Sequence, residues 1–102
     1  MNRDAVATAV VSDDGVLRLN GRVGYANAET FLPVGRQALA DRTVTHVDLA
    51  GLKGSDSATL AILLVWAAEA KRDKHRLIML GAPEGLRALA RLANAEALLQ
   101  LA

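Results

Sequence analysis

Few side chains in this sequence of 102 residues are of types that perform catalytic chemistry. His46 lies within an expected strand and His75 in an expected turn, and neither has an evident metal partner. The chain has no cysteine and no Gly-x-Ser-x-Gly motif, and Gly54 precedes Ser55 where a phosphate-binding loop would have lysine. We therefore expect no enzyme, no metal site and no cofactor, with a small enzyme or a nucleotide-binding protein as the minor alternative.

Three polar residues, Ser55, Asp56 and Ser57, lie where an expected strand and loop lead into an expected helix. Free backbone N–H groups at a helix start favour anions, so a phosphate on Ser57 could be accommodated and would add roughly two negative charges. The simpler interpretation is capping, in which Asp56 or Ser57 accepts hydrogen bonds from the first turn and contributes about 1 kcal/mol. The residue types alone favour capping over phosphorylation.

The helix that follows carries more apolar residues than one buried face needs. At about 100° per residue, one face should lie on the sheet, and it comprises Leu60, Leu63, Leu64 and Ala67. Ile62 and Trp66 fall on the opposite half, with Thr59 at one end and Glu69 at the other. Either a flanking helix of the same chain covers them or they bind another protein. Because this stripe starts at the Ser57 end, one partner would contact both features.

Apolar periodicity and turn residues predict the elements that position these groups. The expected strands are residues 5–11, 16–19, 44–49 and 77–80. The first helix either begins near Pro33, with Thr30 as its cap, or follows a separate or kinked turn. The other expected helices are residues 58–70, 84–92 and 95–101. We expect an α/β fold of order β-β-α-β-α-β-α, with a mixed four-stranded sheet covered by helices and a parallel crossover over residues 44–80.

Composition argues against nucleic-acid binding and against a membrane span. The net charge is +1 without a dense basic block, and the aromatic residues are Tyr25, Phe31 and Trp66, which offer few stacking platforms. The longest apolar stretch, residues 58–68 interrupted by Thr59, is shorter than the roughly 20 residues that span a bilayer. The first residues lack a secretory apolar region. We expect one cytoplasmic domain, residues 1–102, with no nucleic-acid partner and no direct membrane insertion.

Two segments resemble the signature of STAS domains: Val-Asp-Leu-Ala-Gly-Leu at 47–52, and Asp-Ser-Ala-Thr-Leu-Ala-Ile-Leu-Leu at 56–64. The order of strands and helices in that family covers nearly the whole chain. Within the family, residues 80–92 are most similar to the MlaB group, the cytoplasmic STAS subunits of Mla-type ABC transporters. Those transporters move phospholipids between the membranes of Gram-negative bacteria and maintain outer-membrane lipid asymmetry. The resemblance implies a STAS fold and a non-enzymatic regulatory or assembly subunit that binds the transporter's ATPase.

The resemblance also implies roles for individual residues. Ser57 matches the residue that is phosphorylated in anti-sigma factor antagonists and that lies at the ATPase contact in Mla subunits, and Asp56 matches the acidic residue before it. Ala58 and Thr59 depart from the Ser-Gly or Gly-Gly of anti-sigma factor antagonists, which disfavours a kinase substrate. The expected location is the cytoplasmic side of the inner membrane, through the transporter complex. The alternative is an anti-sigma factor antagonist that a kinase switches at Ser57. The expected partner-binding residues are Asp56, Ser57, Thr59, Ile62, Trp66, Glu69 and Arg72.

Overall fold

A computed structural model describes residues 7–40 and 42–101. The strands are β1 (Thr8–Val11), β2 (Val16–Gly21), β3 (His46–Leu52) and β4 (Ile78–Leu80). The helices are α1 (Ala28–Ala40), α2 (Ser57–Arg72), α3 (Glu84–Leu92) and α4 (Glu96–Leu99), and a 3-10 turn at Tyr25–Asn27 precedes α1. The expected order of elements is confirmed; the part of the first expected strand at residues 5 and 6 lies outside the described residues.

The four strands form one mixed sheet in the order β1-β2-β3-β4. β1 runs antiparallel to β2, whereas β2 pairs with β3 and β3 with β4 in parallel. Parallel neighbours need a crossover, which α1 supplies between β2 and β3 and α2 supplies between β3 and β4. The expected parallel unit over residues 44–80 is therefore confirmed. Because β2, β3 and β4 run in the same direction and end at the same edge of the sheet, the loop after β3 places the start of α2 at that edge.

The helices cover one face of the sheet. Leu17, Val47 and Met79 are fully buried on that face, together with core residues of all four helices. Alternate residues on the opposite face, such as Arg18 and Asp48, are only partly buried. This alternation is the pattern of a sheet packed on one side. Within residues 7–40 and 42–101, no helix combines the length and apolar character needed to cross a membrane.

β3 contains a bulge close to its end, before the loop that leads into α2. Arg18 pairs with Asp48 and Asn20 with Gly51, so β3 has one more residue than β2 between these pairs. The Asp48 carboxylate accepts the backbone N–H of Ala50 at 3.0 Å and holds the extra residue. Pairing with β2 resumes after the bulge, so that β3 continues to Leu52, beyond the expected end at residue 49.

The region around Pro33 follows the second of the two expected arrangements. The 3-10 turn is a separate unit, and α1 then runs from Ala28 through Pro33. Thr30 lies inside the helix, so the expected cap at Thr30 is wrong. Because proline has no backbone N–H, Pro33 cannot donate a hydrogen bond to the carbonyl of Glu29, which lies four residues earlier near the start of the helix.

Candidate functional site

Helix α2 begins with a reciprocal capping box between Asp56 and Thr59. The Asp56 carboxylate accepts the backbone N–H of Thr59 at 2.9 Å, and the backbone N–H of Asp56 donates to the Thr59 hydroxyl at 3.0 Å. Asp56 has extended backbone angles, which is usual for a residue that caps a helix start. Of the two caps that the sequence allowed, the structure therefore uses Asp56.

The Asp56 carboxylate also links the 3-10 turn to α2 through hydrogen bonds. It accepts the backbone N–H of Tyr25 at 3.2 Å. Gly24 permits this approach, because a Cβ at that position would lie 2.7 Å from both carboxylate oxygens. The hydrogen bond from the backbone N–H of Thr59, followed in size of effect by that from Tyr25, holds the pKa of Asp56 below its usual value. Asp56 is thus a charged cap that joins two elements.

Thr59 is a structural residue and not part of the surface. Its side chain is buried, with the residue 2% exposed, and its hydroxyl donates to the Val23 carbonyl at 2.7 Å. The expectation that Thr59 binds a partner is wrong for this structure, because both functions of its hydroxyl are used inside the fold.

Ser57 differs from Asp56 and Thr59, the two residues of the capping box. It is the first residue of α2, it is exposed, and its hydroxyl forms no hydrogen bond within the described part of the chain. Because Asp56 already supplies the cap, the Ser57 hydroxyl has no structural role there. The site therefore presents a free hydroxyl at a helix start on the protein surface.

Trp66 and Ile62 lie inside the protein, so the expected outward stripe is wrong. Trp66 is 0% exposed and Ile62 is 3% exposed. The indole Nε1 donates to the Leu32 carbonyl of α1 at 3.0 Å. Gly35 of α1 leaves room for the ring, since a Cβ there would lie 1.9 Å from the indole Cε2. Of the two expected explanations, cover by a flanking helix is confirmed for Trp66, and Ile62 is buried in the same core.

The exposed face of α2 is a different one. It starts at Ser57 and continues through Ala61 and Ala68, which are exposed, with the partly exposed Leu64 and Val65 between them. We call these residues the α2 outer face. Sequence reasoning missed this face because it placed Leu64 on the sheet. The signal present in the sequence was the small side chains of Ala61 and Ala68 at helical spacing from Ser57.

The two remaining predicted residues lie toward the other end of α2. Glu69 is partly buried, and its carboxylate contacts Arg36 Nε of α1 at 2.8 Å. Arg72 is exposed, and its Nε lies 3.9 Å from the carboxylate of Asp73. At about 1.5 Å per residue, α2 is about 24 Å long. The predicted residues therefore do not form one patch: Asp56 and Ser57 lie at one end and Arg72 at the other.

Neither histidine belongs to this site. His46 Nδ1 lies 2.7 Å from the Thr45 hydroxyl, and His75 Nε2 contacts the Val44 carbonyl. Among residues 7–40 and 42–101, no group of three His, Cys, Asp or Glu side chains is arranged to hold a metal ion.

Comparison with known proteins supplies a family and a fold. A protein-family model described as "Mlab, STAS domain" matches residues 6–100. The anti-sigma factor antagonist SpoIIAA in its unphosphorylated form has a TM-score of 0.70 at 15% identity, over 95% of this chain and 88% of that chain. The phosphorylated Bacillus cell fate determinant SpoIIAA gives 0.68 at 15% identity, over 95% and 91%. The NMR structure of TM1081 gives 0.70 at 15% identity, over 92% and 78%. No curated protein matches the sequence.

Proposed function

Because the chain belongs to the MlaB STAS-domain family, we propose that it is a non-enzymatic regulatory and assembly subunit that binds the ATPase of an Mla-type ABC transporter. The transporter would move phospholipids between membranes and support outer-membrane lipid asymmetry. The domain would be cytoplasmic and peripheral at the inner membrane through this complex. The STAS fold that the sequence suggested is confirmed by the structure and its likeness to SpoIIAA.

The observation that carries this proposal is the exposed Ser57 hydroxyl, which has no capping role. Asp56 makes the hydrogen bonds that the helix start needs. A surface serine beside a saturated cap is available to a partner without any change in the fold. The position of Ser57 also matches the residue at the ATPase contact in the subunits that this sequence resembles.

The proposed contact surface is the α2 outer face together with the exposed part of the 3-10 turn. Ala61 and Ala68 have short side chains, so a partner's side chains can approach the helix backbone closely. Tyr25 is 86% exposed beside Asp56, and its ring offers a large apolar area of the kind that interfaces bury at their centre. Arg72 would lie on the polar rim at the far end.

This surface replaces the one expected from the sequence. Asp56 and Ser57 stay in the proposed contact, and Ala61 takes the place that Trp66 was expected to fill. Trp66 supports the contact only indirectly, because it fixes α2 against α1, and Ile62 is buried in the core.

Co-purification of the tagged domain with the ABC ATPase encoded beside it tests the proposal. We expect the wild-type domain to retain the ATPase and Ser57→Asp to lose most of it, because a carboxylate would be buried without a partner at the interface. Gly85→Asp is the matched control. It places the same carboxylate in the first turn of α3, at an exposed site where a Cβ meets no atom within 4 Å.

The results separate three situations. Retention by Gly85→Asp but not by Ser57→Asp supports the Ser57 contact. Equal loss in both variants would mean that negative charge at this edge of the sheet is enough to prevent binding. Failure of the wild-type domain to retain any ATPase would contradict the proposed function itself.

A second candidate function is a phosphorylation switch, in which a kinase modifies Ser57 of an anti-sigma factor antagonist. The exposed hydroxyl at the start of α2 favours it, since a phosphate there would lie near the positive end of the helix dipole. Ala58, which is partly exposed, weighs against it because its side chain restricts approach to the backbone, whereas the Thr59 side chain is buried and does not affect that approach. Incubation with a cognate kinase and ATP, followed by intact mass, distinguishes the two. A phosphate that Ser57→Ala abolishes would favour the switch.

A further inference from the structure

A groove of about 410 Å³ lies at the end of α2 opposite to Ser57. The last turn of α2, the connector from Lys74 to Leu77 and helix α4 form its walls. Apolar residues form part of its lining, here called the floor: Leu77 and Ala70 are buried, and Leu98 of α4 is 47% exposed. The groove is large enough for one or two side chains of a ligand.

Cationic side chains surround this floor. Lys71, Lys74 and Arg76 line the groove and are exposed, and His75 lies between the last two. Within residues 7–40 and 42–101, none of these three cations forms an ion pair, and no acidic residue lines the groove. The nearby Asp73 lines a neighbouring depression that it shares with Arg36 and Arg42. Among the described residues, the lining of the groove therefore carries an excess of positive charge, in a molecule whose net charge is only +1.

The structural role of cations at a helix end accounts for only part of this arrangement. Lys71 lies in the last turn of α2, where a cation interacts favourably with the helix dipole. Lys74 and Arg76 lie beyond the end of α2, and the dipole effect falls off within the last turn. The helix dipole therefore does not account for the presence of Lys74 and Arg76 in the lining of the groove.

We propose that this groove binds an acidic peptide segment of another protein, with an apolar side chain on the floor and carboxylates facing Lys71, Lys74 and Arg76. The concave shape favours a peptide over a bilayer surface, because a flat array of headgroups would not reach the buried floor at Leu77. The groove is separated from Ser57 by the length of α2. Binding there is independent of the contact proposed at Ser57.

An NMR titration of the isotope-labelled domain tests this inference. The probe is a synthetic peptide of about ten residues that alternates glutamate and leucine, a charged and apolar pattern suited to such a groove. A matched peptide has glutamine in place of glutamate. We expect the acidic peptide to shift the amide signals of residues 71–77 and 97–100, with binding that weakens as salt is added. The glutamine peptide should bind much more weakly.

Charge-reversal variants locate the contact. Lys74→Glu combined with Arg76→Glu should weaken binding of the acidic peptide about tenfold, as expected for the loss of two exposed charge contacts and their reversal. The control is Arg22→Glu combined with Lys53→Glu, the same change in net charge at exposed residues near the start of α2. It should bind like the wild type. Lys74→Gln combined with Arg76→Gln provides a milder variant if the reversal disturbs folding.

Several outcomes would overturn the inference. One is the absence of shifts with the acidic peptide at millimolar concentration, and another is equal binding of both peptides. Amide signal shifts confined to residues outside the groove would also overturn the inference. Binding to phosphatidylcholine vesicles with about one third phosphatidylglycerol, without peptide binding, would identify a membrane surface as the ligand instead.

Discussion

A methyl group at Gly35 would collide with the central side chain of the helix layer. An added Cβ at this position of α1 would lie 1.9 Å from Cε2 of Trp66 and 2.3 Å from Nε1. Neither atom can yield locally, because the ring is fully buried and its N–H donates to the Leu32 carbonyl. Gly35→Ala therefore requires the whole indole or the whole of α1 to move.

The expected size of the effect follows from two opposing terms. A Gly-to-Ala change inside a helix ordinarily stabilises by about 0.5–1 kcal/mol. Overpacking of a buried site costs about 1–3 kcal/mol, and a weakened indole hydrogen bond adds about 1 kcal/mol. We expect Gly35→Ala to reduce the free energy of unfolding by about 2 kcal/mol, which corresponds to a fall of about 8–10 °C in Tm for a domain of this size.

Urea unfolding followed by tryptophan fluorescence measures this directly, since Trp66 is the chain's single tryptophan. Gly85→Ala is the matched control. Gly85 lies in α3, where a Cβ meets no atom within 4 Å, so the same change should stabilise by about 0.5–1 kcal/mol. In the presence of Trp66→Leu, monitored by circular dichroism, Gly35→Ala should cost less than it does alone. If Gly35→Ala were as stable as the wild type, the described packing of Trp66 would be refuted.

Three further changes test the capping box and the ion pair. Thr59→Val should reduce the free energy of unfolding by about 2 kcal/mol in urea melts, because the Val23 carbonyl loses its buried donor; wild-type stability would contradict this bond. Asp56→Asn should remove a pH-dependent part of the stability. The pKa of Asp56 is lowered from 3.8 in the fold, so its contribution is complete above about that pH and is lost as the pH falls through the lowered value. Identical pH profiles of variant and wild type between pH 2 and 6 would exclude such a contribution. Glu69→Gln should cost less than about 1 kcal/mol, since the partner Arg36 is half exposed, and a larger loss by urea melts would show that this pair is stronger than an ordinary surface ion pair.

The sequence was a good guide to the elements and to the start of α2. Residues 84–92 were expected as a helix and form α3 with the same bounds. Asp56 was one of two expected caps and is the cap. These features depend on local interactions, such as capping and apolar periodicity, that short segments of sequence contain. The bulge in β3 was missed because Ala50-Gly51 is typical of a loop, and the Asp48 side chain that holds it acts within the folded sheet.

Helical periodicity alone could not predict which face of α2 is exposed. A helical wheel gives the angles between side chains but not the number of neighbouring elements. α2 packs against α1 on one side and against α3 and α4 on the other, so only a narrow strip stays exposed. Trp66 consequently lies in the core, although it is on the opposite half of the wheel from Leu64, which was expected to face the sheet. The clue to this packing was Gly35 in the middle of α1, a residue that a helix interior disfavours unless something must approach closely.

The affinity of the purified domain for the transporter ATPase, compared between wild type and Ala61→Arg, tests the central claim most directly. Ala61 is exposed one turn after Ser57 on the α2 outer face, so an arginine there leaves the core unchanged and obstructs the proposed contact. Ala93→Arg, at the exposed end of α3, is the matched control. We predict at least about tenfold weaker binding for Ala61→Arg, about 1.4 kcal/mol or more, with the control unchanged. Wild-type affinity in Ala61→Arg would contradict docking through this face of α2.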